Sequence, residues 1–193
     1  MALNRSELRR HLLGLRRAVD PGTARRAGLA ASRRAWQMPL LGRARRIATY
    51  FPMHGELDCR AFIQQAWDRG REVYLPVLHG KRLRFRAYTP ATRMQPNRFG
   101  IPEPSSGKEL SPQYLDVAIT PLVGFDLEGN RLGMGGGYYD RSFHFLRQRV
   151  LWGHPRLIGF AYEVQCVNAL VHFDWDVPLD AVVTESANYI FPV

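Results

Sequence analysis

Gly133, Gly135, Gly136 and Gly137 crowd into five positions of this chain, and no other stretch limits its fold as tightly. Backbone without a Cβ reaches φ > 0 freely, so the cluster predicts a loop whose amides stand open to an approaching group. Upstream, the apolar run Val117-Ala118-Ile119-Thr120 reads as a buried strand, followed by a turn at Glu128-Gly129-Asn130. Downstream, Tyr138 opens a segment with helical spacing that continues through Phe145 and Leu146 to about Val150. Strand, glycine-rich loop and helix start together offer N–H groups to an anion, aided by the helix dipole. Arg131 ahead of the loop adds a guanidinium matched to phosphate, and Asp140 behind it adds a hard oxygen suited to Mg²⁺. Taken alone, a glycine cluster more often serves chain geometry than ligand binding. This one is not a Walker A loop, since no Gly-Lys-Ser/Thr follows, and contiguous glycines make a poor dinucleotide fingerprint.

The elements around the loop alternate. Leu8, Leu12, Leu15 and Val19 lay one apolar stripe along a helix over 6–19. Asp20-Pro21 reads as an N-cap with proline at the first helical position, opening a second helix that runs to about Gln37. A strand over 46–51 leads through the turn Pro52-Met53-His54-Gly55 to a helix over 59–69, capped by Asp58 and stopped by Gly70. Strands over 72–77 and 83–88 flank His79-Gly80-Lys81 as an antiparallel pair. Residues 89–114, rich in Pro, Ser, Asn and Gly, predict a long loop of the kind that carries function. A strand over 156–161, a short helix over 163–170 and a strand over 181–184 complete the order. The pattern predicts an α/β fold: a single-domain α/β sandwich over 1–193, Rossmann-like, with a mainly parallel sheet.

The formal net charge of +10 comes almost wholly from arginine, since Lys81 and Lys108 are the only lysines. Such a balance favours polyanionic partners, ATP and nucleic acid among them, or is simply an arginine-rich solvated surface. Arg25-Arg26 and Arg33-Arg34 suggest an RNA-binding segment, yet no recognised RNA-binding motif accompanies them. No apolar run approaches the roughly 18 residues of a membrane span. Cys59 and Cys166 stand apart, which fits a reducing compartment and predicts a cytoplasmic protein. The six histidines are scattered and suggest no zinc site.

Phe125-Asp126, Gly129-Asn130-Arg131-Leu132-Gly133 and Gly137-Tyr138-Tyr139-Asp140 together resemble the signature of the 5-formyltetrahydrofolate cyclo-ligase, or methenyltetrahydrofolate synthetase, family. That resemblance implies ATP- and Mg²⁺-dependent conversion of 5-formyltetrahydrofolate, polyglutamylated forms included, to 5,10-methenyltetrahydrofolate. The formyl oxygen attacks the γ-phosphate, N10 then closes the ring, and phosphate leaves. It further implies an ATP site at Arg5, Arg9, Arg131, Leu132, Gly133, Met134, Gly135, Gly136, Gly137, Tyr138 and Tyr139. The implied folate site is Phe51, Glu56, Met134, Gly136 and Tyr138, and the implied Mg²⁺ ligands are Asp140 and Asp180. Gly100-Ile101-Pro102-Glu103-Pro104 resembles a family segment beside the folate site.

By spacing alone, Arg5 and Arg9 fit a solvated basic face, Glu56 a surface loop, Phe51 the core, and Asp180 turn chemistry. One departure stands out: many family members carry a phosphate-reaching lysine where this chain has Gly136, leaving Arg141 or another arginine to supply that charge. Two rival readings are a different phosphate-binding α/β enzyme, such as a sugar-phosphate isomerase, and an arginine-rich RNA-binding protein.

Overall fold

A computed structural model describes residues 4–148 and 153–192. Asn4 opens α1 (Arg5–Arg17) with a reciprocal capping box: its side chain accepts from the Glu7 N–H, and Glu7 accepts from the Asn4 N–H. Asp20 caps α2 (Pro21–Trp36) through the Thr23 N–H at 3.0 Å. The buried face of α2 is built from Ala27, Gly28, Ala31, Ser32 and Ala35, small enough for close backbone approach. A Cβ at Gly28 would stand 2.6 Å from the Asp58 carbonyl oxygen. The short α3 (Pro39–Gly42) then leads into the sheet.

In chain order the remaining elements are β1 (Arg46–Ala48), α4 (Arg60–Asp68), β2 (Glu72–His79), β3 (Arg82–Ala87), β4 (Met94–Pro96), β5 (Pro102–Pro104) and β6 (Glu109–Leu110). There follow β7 (Val117–Pro121), β8 (Gly124–Phe125), β9 (Arg131–Leu132), α5 (Tyr138–Phe143), β10 (Arg156–Phe160), β11 (Ala181–Val183) and β12 (Asn188–Ile190). Eight strands make one sheet in the order β12-β11-β10-β7-β1-β2-β3-β6. From β11 through β2 the pairs are parallel; β12, β3 and β6 close the edges with antiparallel pairs.

Successive strand residues point to opposite faces, and both faces are covered. Ile47, Val117, Ile119, Ile158 and Val183 meet α2 and α4 through Ala31, Ala35, Phe62 and Ile63. Ala48, Ala118, Leu157 and Val182 meet Phe143, Leu146, Leu179 and Phe191 on the other side. The expected α/β sandwich with a mainly parallel sheet is therefore the observed one.

Four local expectations change. Residues 89–114 are not one loop: β4 and β5 form a hairpin and β6 extends the sheet beside β3. Proline at both ends of β5 hid that strand, because the ribbon has free edges where a missing N–H costs little. The segment 163–170 holds only a 3-10 turn, Glu163–Gln165. The strand β12 near the C terminus was not anticipated. Finally, a hairpin of β8 and β9 separates β7 from the glycines, and α5 gives way at His144 to a 3-10 turn, His144–Arg147. The expected end of that helix, Val150, lies outside the described residues. With six residues, α5 has little dipole, so positive potential at the loop has to come from side chains.

Candidate active site

Because β1 and β7 are parallel neighbours, the segments leaving them share one edge of the sheet, where open α/β folds place ligands. The ribbon of β8 and β9 carries the glycine loop there, and Asp126 holds the ribbon in shape. Asp126 is 1% exposed and accepts from the Glu128 N–H at 3.0 Å and from the Asn130 N–H, Asn130 Nδ2 and Leu170 N–H at 2.9 Å each. Leu132 packs with Leu12, Val123 and Leu170 beneath α1, and its carbonyl accepts from the Val123 N–H. Leu132 thus seats the loop, and its side chain contacts the core instead of facing a ligand. On top, Arg9 Nε donates to the Gly133 carbonyl at 2.9 Å, while Gly135 (φ 97°) and Gly137 (φ 63°) take left-handed conformations. Met134 is 56% exposed at the loop's crest.

Cationic side chains gather around this loop. Arg131, with 4% of its side chain exposed, pairs with Asp140 Oδ1, and its guanidinium carbon lies 5.8 Å from the Tyr139 ring centroid. Its Nη1 is buried with no hydrogen-bond partner, an orphan donor that a ligand oxygen would satisfy. Arg141 donates from Nε to the Lys81 carbonyl at 2.7 Å and from Nη2 to the Gly136 carbonyl, and lies 5.3 Å from the Tyr138 ring centroid. The guanidinium sought in place of the family lysine therefore rests against Gly136 itself. Arg9 has no carboxylate partner among the described residues, whereas Arg5 is paired with Asp176 at 3.0 Å.

The tip of the β4–β5 hairpin closes over the same place. Asn97 shapes it by accepting from the Phe99 N–H at 2.9 Å and the Ile101 N–H at 3.2 Å. Arg98 donates to the Tyr138 hydroxyl, and Phe99 meets the Tyr138 ring edge-on at 5.9 Å. Residue patterns gave no role to Arg98; its place just before Gly100-Ile101-Pro102 was the available signal.

Beyond Tyr139 lies the loop after β1. Phe51 is half-buried in it. Glu56 Oε2 accepts from the Met53 N–H at 3.0 Å, and burial raises its carboxyl above the usual range against the opposing pull of that N–H and of Arg16. Arg16 is 2% exposed; it donates to the Leu122 carbonyl at 3.3 Å and the His54 carbonyl at 3.1 Å, and stands 4.0 Å from Glu56 Oε1. This buried arginine is, with Arg98, a residue of the site that the sequence reading missed. Its signal was there, because Arg16 falls four residues after Leu12 on the inward stripe of α1. The Tyr139 hydroxyl is pushed well above its ordinary value by burial first and by the Glu56 charge second. Tyr139 therefore lies near both halves, its ring 5.8 Å from the Arg131 guanidinium and its hydroxyl within the field of Glu56.

The paired metal ligands do not come together. Asp180 sits at the start of β11, at the opposite edge of the sheet and 2% exposed, with Oδ1 2.8 Å from Arg156 Nη1 and Oδ2 accepting from the Leu157 N–H at 2.6 Å. Those bonds make it a clamp between the starts of β10 and β11, so the expected second ligand is withdrawn. Asp140 remains: its Oδ1 takes Arg131 and the Val177 N–H at 3.2 Å, leaving Oδ2 for a cation. Among the described residues no group of three or more His, Cys, Asp or Glu could hold a metal. A single carboxylate fits Mg²⁺, which keeps its waters and takes its other ligands from substrate phosphates. The cleft between Pro39, Arg43, Asp116, His154 and Arg156 lies at the same far edge and gathers none of these groups.

A sequence model of the 5-formyltetrahydrofolate cyclo-ligase family matches residues 2–185. The chain is 40% identical over 178 residues to the 5-formyltetrahydrofolate cyclo-ligase of Escherichia coli K12, covering 89% of this chain and 94% of that one. It is 45% identical over 143 residues to the Haemophilus influenzae enzyme of the same name, covering 70% and 73%. The NMR structure of Aquifex aeolicus 5,10-methenyltetrahydrofolate synthetase superposes with a TM-score of 0.84 at 30% identity, covering 99% of this chain and 94% of that one. With the family model matching residues 2–185 and relatives this similar in sequence and fold, the chain belongs to the 5-formyltetrahydrofolate cyclo-ligase family.

Proposed function

We propose that residues 1–193 act as one catalytic unit, cytoplasmic, that converts 5-formyltetrahydrofolate and ATP to 5,10-methenyltetrahydrofolate, ADP and phosphate with Mg²⁺. One observation carries the reading: buried Arg131, paired with Asp140 and carrying an orphan donor, stands at the glycine loop with its guanidinium 5.8 Å from the Tyr139 ring, which lies in the field of Glu56. In the first step the formyl oxygen attacks the γ-phosphorus and ADP departs, leaving an N5-iminium phosphate. In the second, N10 attacks the iminium carbon, loses its proton, and phosphate is expelled as the ring closes. Such chemistry needs alignment and charge neutralisation more than an acid or base.

Arg9, the orphan Arg131 donor, Arg141 and the open amides of the loop supply positive potential around the transferred group. Asp140 Oδ2 would hold Mg²⁺, which neutralises charge on the phosphate oxygens when bound. Glu56, as the carboxylate, accepts hydrogen bonds from the donor edge of the pterin. The net charge of +10 favours folates bearing several glutamates. Nucleic acid has no comparable support from the site. The direct test follows the near-ultraviolet absorbance of the methenyl product. Formation that stops when ATP or Mg²⁺ is omitted is expected, and its absence at saturating substrates sinks the reading.

A further inference from the structure

The segment Phe173-Asp174-Trp175-Asp176 forms an outer wall beside the phosphate-suited half of the site. It is fastened at its C-terminal end. The following Val177 N–H donates to Asp140 Oδ1 at 3.2 Å, and Asp176 pairs with Arg5 at 3.0 Å. The Asp176 carboxylate also accepts from the Phe173 N–H at 3.1 Å, which fixes the turn. Ahead of these anchors the rings of Phe173 and Trp175 stack, with centroids 4.6 Å apart and planes 19° from parallel. The Arg5 guanidinium carbon stands 4.9 Å from the Phe173 ring centroid, adding a cation to the same stack.

Trp175 is nonetheless 61% exposed and Phe173 40%, and neither belongs to a core cluster. A rigid aromatic pair held open to solvent beside a phosphate-suited arginine and a cation-suited carboxylate is placed to receive a flat ring whose charged tail runs inward. We propose that Trp175, backed by Phe173, is the stacking platform for the purine ring of the nucleotide co-substrate, whose phosphates run along Arg5 and Arg9 to the glycine loop. The inference rests on the ATP reading above. It assigns the nucleotide base a place that the motif residues leave open.

The test compares Trp175→Ala and Trp175→Phe with the wild type in steady-state kinetics, using inorganic tripolyphosphate as a base-free competitor. Losing a stacking partner is expected to raise the ATP KM roughly tenfold in Trp175→Ala. The folate KM and the tripolyphosphate inhibition constant stay as in the wild type, and Trp175→Phe recovers most of the loss. An unchanged ATP KM overturns the platform. So does an equal weakening of ATP and tripolyphosphate, which would mean only that Arg5 had lost its support. A second arm needs no turnover: ADP titrated into the wild type should quench tryptophan fluorescence, and the quench should vanish in Trp175→Phe although ADP still binds by calorimetry. A wild type that forms no methenyl product sinks the cyclo-ligase reading alone, while the ADP titration still decides the platform.

Discussion

Gly136 stands where many relatives by motif carry a lysine, and its surroundings say what a side chain there would meet. It does not adopt the left-handed backbone that Gly135 and Gly137 require. A Cβ would approach the Tyr138 ring at 3.0 and 3.1 Å, so that ring has to shift by a few tenths of an ångström. At Gly137 the obstacle is larger, with φ at 63° and Arg141 Nη1 2.6 Å from the added Cβ. Gly136→Lys is therefore expected to leave the ATP KM no higher than in the wild type, with a small fall in melting temperature. Gly137→Ala should lose more of both. Weaker ATP binding in Gly136→Lys at an unchanged melting temperature would refute a phosphate-facing position at 136. Removing Arg141 as well deletes a charge-assisted contact of about 1.5–3 kcal/mol, which the new lysine should restore.

Asp140→Asn tests the metal. Gly137, not Asp140, occupies the N-cap of α5, so helix capping cannot explain a loss. The amide can still accept from Arg131 and Val177 but offers a neutral oxygen to the cation. Turnover titrated against Mg²⁺ should fall by most of its value while circular dichroism is retained; full activity at low Mg²⁺ would exclude this carboxylate as a ligand.

Among the elements, α1 is where spacing and structure part company most usefully. Arg5 and Arg9 were equally good phosphate candidates by position, yet Asp176 balances Arg5 while Arg9 keeps its charge free of any ion pair among the described residues. Arg9→Ala should raise the ATP KM more than Arg5→Ala, with the folate KM intact in both. A merely solvated face predicts no kinetic change and a stability change within about 0.5 kcal/mol.

The central strands and α2 were legible because apolar alternation, Asp20 and Pro21 signal them locally. The β4–β5 hairpin was not, since its hydrogen bonds come from Asn97 and ribbon pairing that prolines disguise. Motif matching singled out the glycine loop, Asp140 and Glu56, and with them Asp180 for the metal and Leu132 for ATP. What the third dimension adds is where these two side chains go: Asp180 bonds to Arg156 at the far edge, and Leu132 packs beneath α1.

Across the whole molecule, acid acts in two directions. Asp116 lies below its ordinary range because the Arg46 and Arg45 N–H groups, each 2.8 Å away, outweigh the burial that would raise it. Its stabilisation is present above the unfolded carboxylate value and is lost as pH falls through the folded one. Glu56 has the opposite sign: burial raises it, so its contribution is full below the unfolded value and disappears as pH rises through the folded one. If the ionised form binds the pterin, the folate KM should fall as pH rises through that raised value, and Glu56→Gln should show a high, flat profile. An unchanged pH profile in Glu56→Gln would remove Glu56 from folate recognition.

Arg9 reaches Gly133, Arg16 reaches Leu122, and Arg5 reaches Asp176, so each of these three arginines of the first helix takes a partner from the last two-fifths of the chain. During synthesis α1 precedes these partners, so Arg16 has His54 and Glu56 in reach well before Arg9 and Arg5 find the glycine loop and the 173–177 segment. A chain stalled before the glycine loop holds β1, β2, β3 and β6 but lacks β10, β11 and β12. The polar contacts of α1 are thus complete only once the 173–177 segment has been made.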